Sequence, residues 1–395
     1  MRMADNSVIA TVPGIAAIDA ADWDACANPD PAAFNPFLAH AFLEALEDAR
    51  TVGGRSGWQP SHVVLRDAAG ALAACAPAYL KRHSQGEYVF DHGWAEAYER
   101  AGGAYYPKLQ VAVPFTPVPG RRLLVRPASA DAMARAEQRL AAGIVAVAER
   151  LGVSSAHVTF LTAGEWSRLG AAGYLQRTGQ QFHWENRGYT TFDDFLAGLA
   201  SRKRKTVRKE RAAAVAPGLE IEHVQGGNIR EAHWDAFFAF YMDTGSRKWG
   251  RPYLNREFFS RLGAAMPERC LLVMVRRGGR YIAGALNLIG GDCLYGRYWG
   301  AIEQHPCLHF EVCYYQAIDY AIRHRLARVE AGAQGEHKLA RGYMPVPIHS
   351  VHWIADPGLR RAVARYLVEE RAAIAEQREM LAEYGPYRKV AAEQE

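Results

Sequence analysis

Residues 62–81 read HVVLRDAAGALAACAPAYLK, and residues 271–290 read LLVMVRRGGRYIAGALNLIG. With Gly70 set over Gly279, each becomes two apolar runs divided by a short charged turn containing glycine, the pattern of a β-hairpin. An aromatic strand is expected after each hairpin, GEYVFDHGW (86–94) in the first half and CLYGRYWGA (293–301) in the second. An amphipathic helix follows. Near Ala132–Leu151 it sets Leu140, Ile144, Val147 and Leu151 on one face, and near Phe310–Arg325 it sets Tyr314, Ile318 and Ile322 on one face. A short strand then closes each series, AHVTFL (156–161) and ARVEAG (327–332). Hairpin, strand, helix, strand is written twice, at a period that indicates a duplicated domain and not a solenoid. The expected fold is therefore α+β (mixed α/β) in two tandem halves, 1–187 and 188–395, each a mixed sheet flanked by helices. Gly70 and Gly279 are expected at matching turns.

A chain of 395 residues exceeds what one ordinary core serves, which agrees with two domains. Apolar residues make up 49% and charged residues 23%, a globular balance and not a disordered one. No apolar run approaches the ~20 residues of a membrane-spanning helix. The first residues, MRMADNSVIATVPG, lack the apolar core of a secretory signal, so a cytoplasmic location is expected. Cys26, Cys75, Cys270, Cys293, Cys307 and Cys313 form no CxxC pair, which suits reduced, mostly buried thiols. The net charge of +5 permits an anionic ligand without implying nucleic acid.

The first half carries an insert, AEAYERAGGAYYPKLQVAVPFTPVPGRR (95–122), rich in aromatics, Gly and Pro. It is expected as irregular surface structure that either binds a ligand or covers the core. At the join, Thr190 and Thr191 suit a helix cap ahead of Asp193 and Asp194, and Pro217 with Gly218 stops the next helix. From Gly358 a final exposed helix is expected, with a frayed tail after Gly385 and Pro386.

The segment SRKRKTVRKER (201–211) is the densest charge run, seven basic residues against Glu210. As a helix it sets Arg204, Arg208 and Arg211 on one stripe, with Lys205 and Lys209 beside it. Such crowding is costly unless an anion lies over it, and phosphate fits, since Arg grips it bidentately and Lys supplies a point charge. Arg204, Lys205 and Arg208 are the phosphate-binding candidates, a solvated helical face being the alternative.

The segment EAGAQGEHKLARGYMPVPIHS (330–350) leaves a strand for a glycine-punctuated loop holding Gln334, Glu336, His337, Lys338 and Arg341. Glu336 or His337 suits the deprotonation of an amine, and Lys338 or Arg341 suits an anionic substrate group. The alternative is a polar surface turn. Tyr298 and Trp299 are expected to wall a cleft with this loop. Asp91, His92 and Trp94 hold the corresponding place in the first half, and Tyr105, Tyr106 and Lys108 of the insert join them as substrate-binding candidates. His305, Cys307 and His309 lie close together but lack metal-ligand spacing, so no metal ligands are assigned. GxSxG, GxxxxGK[ST], GxGxxG after a strand and HExxH are all missing, which counts against hydrolase, nucleotide triphosphatase, dehydrogenase and zinc-protease chemistry.

Long segments resemble a bacterial family of Fem-like GNAT acyltransferases linked to peptidoglycan biosynthesis. In the first half these are NPFLAHAFLEALE (35–47), HSQGEYVFDHGWAEAYER (83–100) and YYPKLQVAVPFTP (105–117). In the second they are QRTGQQFHWENRGYTTFDDFLAGLASRKRKTVRKER (176–211), KWGRPYLNREFF (248–259), LYGRYWG (294–300), HFEVCYYQAIDYAI (309–322) and EAGAQGEHKLARGYMP (330–345). More distantly the layout is similar to the Fem aminoacyl transferases, whose two GNAT-like domains pass an amino acid from aminoacyl-tRNA to a peptidoglycan precursor. Their second domain also opens with a basic helix, here 202–212. One departure is that no long helical hairpin interrupts the second half.

The resemblance implies an N-acyltransferase in which an amine attacks a bound ester or thioester directly. A base takes the proton, and strand amides near Tyr298–Gly300 hold the oxyanion. It implies aminoacyl-tRNA or acyl-CoA as co-substrate, no firmly bound cofactor, and a small-molecule amine or a peptidoglycan precursor as acceptor. The [QR]xxGx[GA] loop of acetyl-CoA enzymes has no match, which with the basic helix leans towards tRNA or a nucleotide-linked precursor. The competing function is a non-catalytic module that binds RNA or a phosphate-bearing ligand through 202–211.

Overall fold

A computed structural model describes residues 7–388, except 217, 249–251 and 334. The chain folds as two compact units, Met1–Gly179 with Pro347–Glu376, and Gln180–Val346 with Gln377–Glu395. This differs from a single cut at 187/188, because a late segment returns to the first unit.

The first unit contains β1 (Val8–Val12), β2 (Trp58–Pro60), β3 (His62–Arg66), β4 (Leu72–Ala76), β5 (Ala78–Lys81), β6 (Lys108–Val111), β7 (Leu124–Val125) and β8 (Ser155–Leu161). One sheet runs β1-β3-β4-β7, all antiparallel. A second runs β8-β6-β5-β2, in which β6 and β8 are parallel. The helix Ala130–Arg150 joins these two parallel strands and buries Leu140, Ile144 and Val147 of the stripe read from the sequence, while Leu151, also assigned to that face, follows the helix end and is exposed. Those side chains share one core with Val63, Leu65, Val111 and Val158.

The chain enters the second unit within β9 (Leu175–Glu185). There it forms β10 (Glu220–Gln225), β11 (Cys270–Arg277), β12 (Arg280–Ile289), β13 (Cys293–Ala301) and β14 (Arg328–Glu330). β10 to β13 pair antiparallel in order, β14 lies parallel to β13, and β9 pairs with β14 through His183–Glu185. The chain leaves within β15 (Met344–Ile354), whose His349–Ile354 pairs antiparallel with β8. Val351 is buried there in the first unit's core, which is why this segment belongs to that unit.

Both hairpins form, and both expected glycines occupy their turns. Gly278 (φ 56°) and Gly279 (φ 79°) close the Arg277–Arg280 pair as a two-residue turn whose positive φ values favour glycine. Gly70 (φ 87°) closes the other, where the Asp67 carboxylate accepts from the Ala69 and Ala71 amides at 2.9 Å.

Three expectations need correction. Residues 86–94 do not form a strand: Gly86 (φ 83°) and Tyr88 (φ 58°) break the extension, and a helix, His92–Arg100, begins inside the segment. The counterpart of β13 is instead β6, since strand–helix–parallel strand is what the two units share. Residues 95–122 are irregular apart from the end of that helix and one strand, but they are largely buried, which favours the core-covering alternative over surface structure. They supply β6, and Tyr105 and Lys108 are 0% and 1% exposed because their polar atoms have partners inside. The tail begins docked and not frayed, and residues 389–395, where the rest of that expectation falls, lie outside the described residues. Tyr387 donates to the Gly342 carbonyl at 2.7 Å and bridges to Leu199. The capping expectation at the join holds, since Thr191 and Asp194 form a reciprocal capping box. Pro217 lies outside the described residues, and the helix ends at Val215.

Candidate functional site

β13 and β14 pair only through Cys293–Arg328, Leu294–Val329 and Tyr295–Glu330. β14 then ends while β13 runs on to Ala301, so the parallel pair opens as a fork after Tyr295. On the other side of β13 the register with β12 shifts between Leu286 and Asn287, leaving Arg297 as the extra residue of a β-bulge. Fork and bulge meet at Gly296. A Cβ there would stand 3.4 Å from Asn287 Oδ1 and 3.5 Å from the Glu330 carbonyl, so any side chain would grow into the gap.

A cavity of about 130 Å³ occupies this place, walled by Asn287, Tyr298, Trp299, His309, Cys313 and Tyr314 among others. Asn287 is 1% exposed, and neither its amide nitrogen nor its oxygen has a hydrogen-bond partner among the described residues. A buried amide left in that state costs about 1–3 kcal/mol per unmade bond. It faces the cavity, where a ligand's polar atoms can meet it. A second opening of about 290 Å³ shares Trp299 and His309 and is lined by Thr244, Glu303 and His305.

The helix over the cavity is irregular. Leu308–Phe310 and Gln316–Arg323 are α-helical, but Glu311–Tyr315 between them is a π-turn. Two clamps from the basic helix Ser201–Val215 hold it. Arg211 donates from Nε and Nη2 to the buried Glu311 carboxylate at 3.1 Å each, and Gln316 adds a bond at 2.7 Å. Glu210 accepts from the Tyr315 hydroxyl and, at 2.7 Å, from Arg341 Nη2. Arg341 also donates to the His337 carbonyl at 2.6 Å and lies 3.4 Å over the Phe310 ring.

The sequence-derived candidates of the second half divide accordingly. Tyr298 and Trp299 wall the cavity. His337 is exposed but touches the wall, with Nε2 2.8 Å from the Tyr314 hydroxyl. Lys338 is 2% exposed and donates to the Gly332 carbonyl at 3.0 Å, and burial pulls its amine down to about 8 against the attraction of the Cys313 sulfur. Arg341 is held by Glu210. Glu336 is exposed. Gln334 lies outside the described residues. On the basic helix, Val207 and Ala214 turn inward while Lys205 and Arg208 are exposed and Arg204 half-buried; Arg208 stands 3.6 Å from Asp193. His305 bonds Glu303 at 3.0 Å and His309 packs against Trp299. Among the described residues no group of three or more His, Cys, Asp or Glu side chains could hold a metal ion.

Sequence reasoning missed Asn287, Cys313, Tyr314 and Glu330. Glu330, the last residue of β14, is 4% exposed, and burial pushes its carboxyl up to about 7 although Arg328 stands 3.3 Å away. His183, opposite it on β9, lies 4.0 Å from the carboxylate, and burial drops its imidazole to about 3, so it is neutral. The contact is therefore not an ion pair.

The first-half candidates surround a buried ionic network of the first unit. Lys108 Nζ donates to Ser84 Oγ at 2.8 Å, Glu87 Oε1 at 2.7 Å and Asp91 Oδ2 at 2.6 Å. The Tyr105 hydroxyl donates to the same Asp91 oxygen at 2.6 Å. Burial opposes ionisation of Asp91, yet the Lys108 charge holds its carboxyl well below the usual range. Lys81, 3.2 Å from Glu87, is pulled down to about 7 by burial. Trp94 packs edge-on against His352, Tyr106 meets Ser84 at 2.8 Å, and His92 is exposed against Phe90.

A family model for peptidoglycan biosynthesis/recognition, FemAB-like, matches residues 14–389. The crystal structure of FemX is similar at 12% identity and a TM-score of 0.54, covering 88% of this chain and 98% of that one. A conserved protein of unknown function from Bacteroides thetaiotaomicron VPI-5482 is similar at 10% identity and a TM-score of 0.50, covering 88% and 100%. A tandem GNAT protein from the clavulanic acid biosynthesis pathway is similar at 11% identity and a TM-score of 0.44, covering 88% and 98%. At such identities the likeness is one of fold. No curated protein matches the chain.

Proposed function

The chain belongs to the FemAB-like family of peptidoglycan biosynthesis/recognition, and from that premise we propose that it is an N-acyltransferase. It moves an acyl or aminoacyl group from an activated ester or thioester, aminoacyl-tRNA or acyl-CoA, to an amine, with a peptidoglycan precursor as the favoured acceptor. The observation that carries this reading is Asn287: a buried amide without partners among the described residues, facing a small cavity where two parallel strands part. A carbonyl seated there would take its Nδ2–H as a fixed donor to the oxyanion formed during acyl transfer.

His337 is the base in this reading. Its bond to Tyr314 connects the exposed imidazole to the cavity wall, and it takes the proton of the attacking amine. Glu336, on the same turn, attracts the incoming ammonium. Lys338 adds a positive charge, Arg341 holds the turn, and Tyr298 and Trp299 shape the wall. Arg204, Lys205 and Arg208 bind the phosphates of donor or acceptor. In the first unit His92, Trp94 and Tyr106 are the substrate-facing candidates, since Asp91, Tyr105 and Lys108 are engaged in their network.

Asn287→Ala and His337→Ala test the assignment on a panel of aminoacyl-tRNA and acyl-CoA donors with amine acceptors. Each should lower transfer about 10²-fold or more. Asn287→Ala should not lower the melting temperature, since its amide has no partner among the described residues, and His337→Ala should cost only about 1 kcal/mol for the lost Tyr314 bond. Full activity in both variants would remove the site. Tight, salt-sensitive RNA binding by a wild type that transfers nothing would favour the binding-module function.

A further inference from the structure

We propose that Cys313 is an acyl-carrying nucleophile, so that the acyl group passes from its donor to the Cys313 sulfur and only then to the amine. This rests on the acyl-transfer reading and sets its route, two displacements in place of one direct attack.

Three observations meet at this sulfur. Cys313 is the central residue of the Glu311–Tyr315 π-turn, half-buried, and walls the fork cavity. A π-turn holds one residue more than an α-turn, and relaxing it would rotate neighbouring side chains by about 100°. The Arg211–Glu311 and Glu210–Tyr315 clamps oppose that relaxation, and so keep Cys313 in place. The second observation is independent of the cysteine. Asn287, 1% exposed with both amide atoms unpartnered among the described residues, faces the same cavity. The third is Lys338, a buried amine for which the Cys313 sulfur is the leading attraction offsetting burial. A nucleophilic sulfur, an oxyanion donor and a cation are the parts that thiol acyl transfer needs.

Beside the Lys338 ammonium the Cys313 thiol loses its proton to solvent, and the thiolate attacks the carbonyl of an activated ester or thioester donor. The new C–S bond forms and the oxyanion takes the Asn287 N–H. Collapse breaks the bond to the donor's alcohol or thiol, which leaves with the proton from Lys338. The acceptor amine then attacks the Cys313 thioester, the C–N bond forms, its proton goes to His337, and the Cys313 thiolate leaves. No oxidant or reductant is needed.

The test uses the full chain and p-nitrophenyl acetate as a generic activated ester. The wild type should release a burst of one nitrophenolate per chain and carry one acetyl group on the peptide containing Cys313, removable by hydroxylamine. Cys313→Ala should show no burst, Cys307→Ser should keep it, and Asn287→Ala should slow it about 10²-fold. Iodoacetamide on the wild type offers a check without substitution: alkylation mapped to Cys313 should abolish the burst. An acetyl group on another residue, or no burst from the wild type, overturns the proposal. So does Cys313→Ala transferring acyl groups to amines at the wild-type rate, an outcome that leaves the transferase reading standing. A Cys313 thioester that no amine discharges would confirm the nucleophile and sink the transferase reading.

Discussion

Replacing Lys108 by methionine would strip the first unit of the cation that neutralises Asp91. Methionine fills much of the lysine's volume, so the loss is chiefly one of charge. Glu87 keeps Lys81 at 3.2 Å, but Asp91, 3% exposed, is left with the Tyr105 and Ser84 hydroxyls and a neutral His157 ring 3.7 Å away, none of them a cation. Breaking a buried pair by removing one partner costs about 3–5 kcal/mol. In a domain of this size each kcal/mol moves the midpoint about 2–4 °C, so the variant should melt roughly 6–20 °C lower at neutral pH. The sign of the pH dependence follows from Asp91. In the wild type its depressed carboxyl contributes stability above the usual carboxylate range, lost as pH falls through the lowered folded value. In the variant, burial without a cation would raise the same carboxyl, so acid supplies the missing proton and the penalty disappears. Scanning calorimetry from pH 8 to pH 4 should therefore show a wide gap that narrows on acidification, and Asp91→Asn in the same chain should restore part of it. A gap under about 2 °C, or one that does not change with pH, would refute the account of this network.

Glu330→Gln should stabilise the protein in alkaline solution. The carboxyl, raised from 4.5 to about 7, favours its protonated form in the fold, so wild-type stability drains away as pH rises through that window. At about 1.4 kcal/mol per unit the variant gains at most about 3.5 kcal/mol above pH 7 and nothing near pH 4.5; urea melts at both pH values check it, and a wild type that is the more stable at pH 8.5 contradicts it. Arg204→Glu with Arg208→Glu should weaken binding of a phosphate-bearing substrate and flatten its dependence on salt. Unchanged affinity and slope in a salt titration would show that the exposed helix face is only solvated.

The hairpins and the helix Ala130–Arg150 were legible because local chemistry decides them. Glycines at positive φ make the turns, and a 3.6-residue stripe of Leu140, Ile144 and Val147 makes the face. The segment 86–94 misled because Asp91 looks like a strand-end charge until Lys108, 17 residues further on, is seen beside it. Asn287 did leave a signal, a single amide in the apolar run RYIAGALNLI, but only the fork gives that amide its meaning. The π-turn left none, since it depends on Glu311 meeting Arg211 and Tyr315 meeting Glu210, each about a hundred residues away.

The return of Pro347–Glu376 to the first unit also orders events during synthesis. β8 exists as chain long before its partner His349–Ile354 does, because all of Gln180–Val346 is made in between. At 5–20 residues per second the ribosome needs on the order of ten to thirty seconds for that stretch. Throughout it, one edge of a strand whose seven residues are all buried in the finished protein stands open, a hazard of the kind that chaperones cover. A gene divided between the halves would make that wait permanent, so the two units are expected to fold from one transcript and not from two.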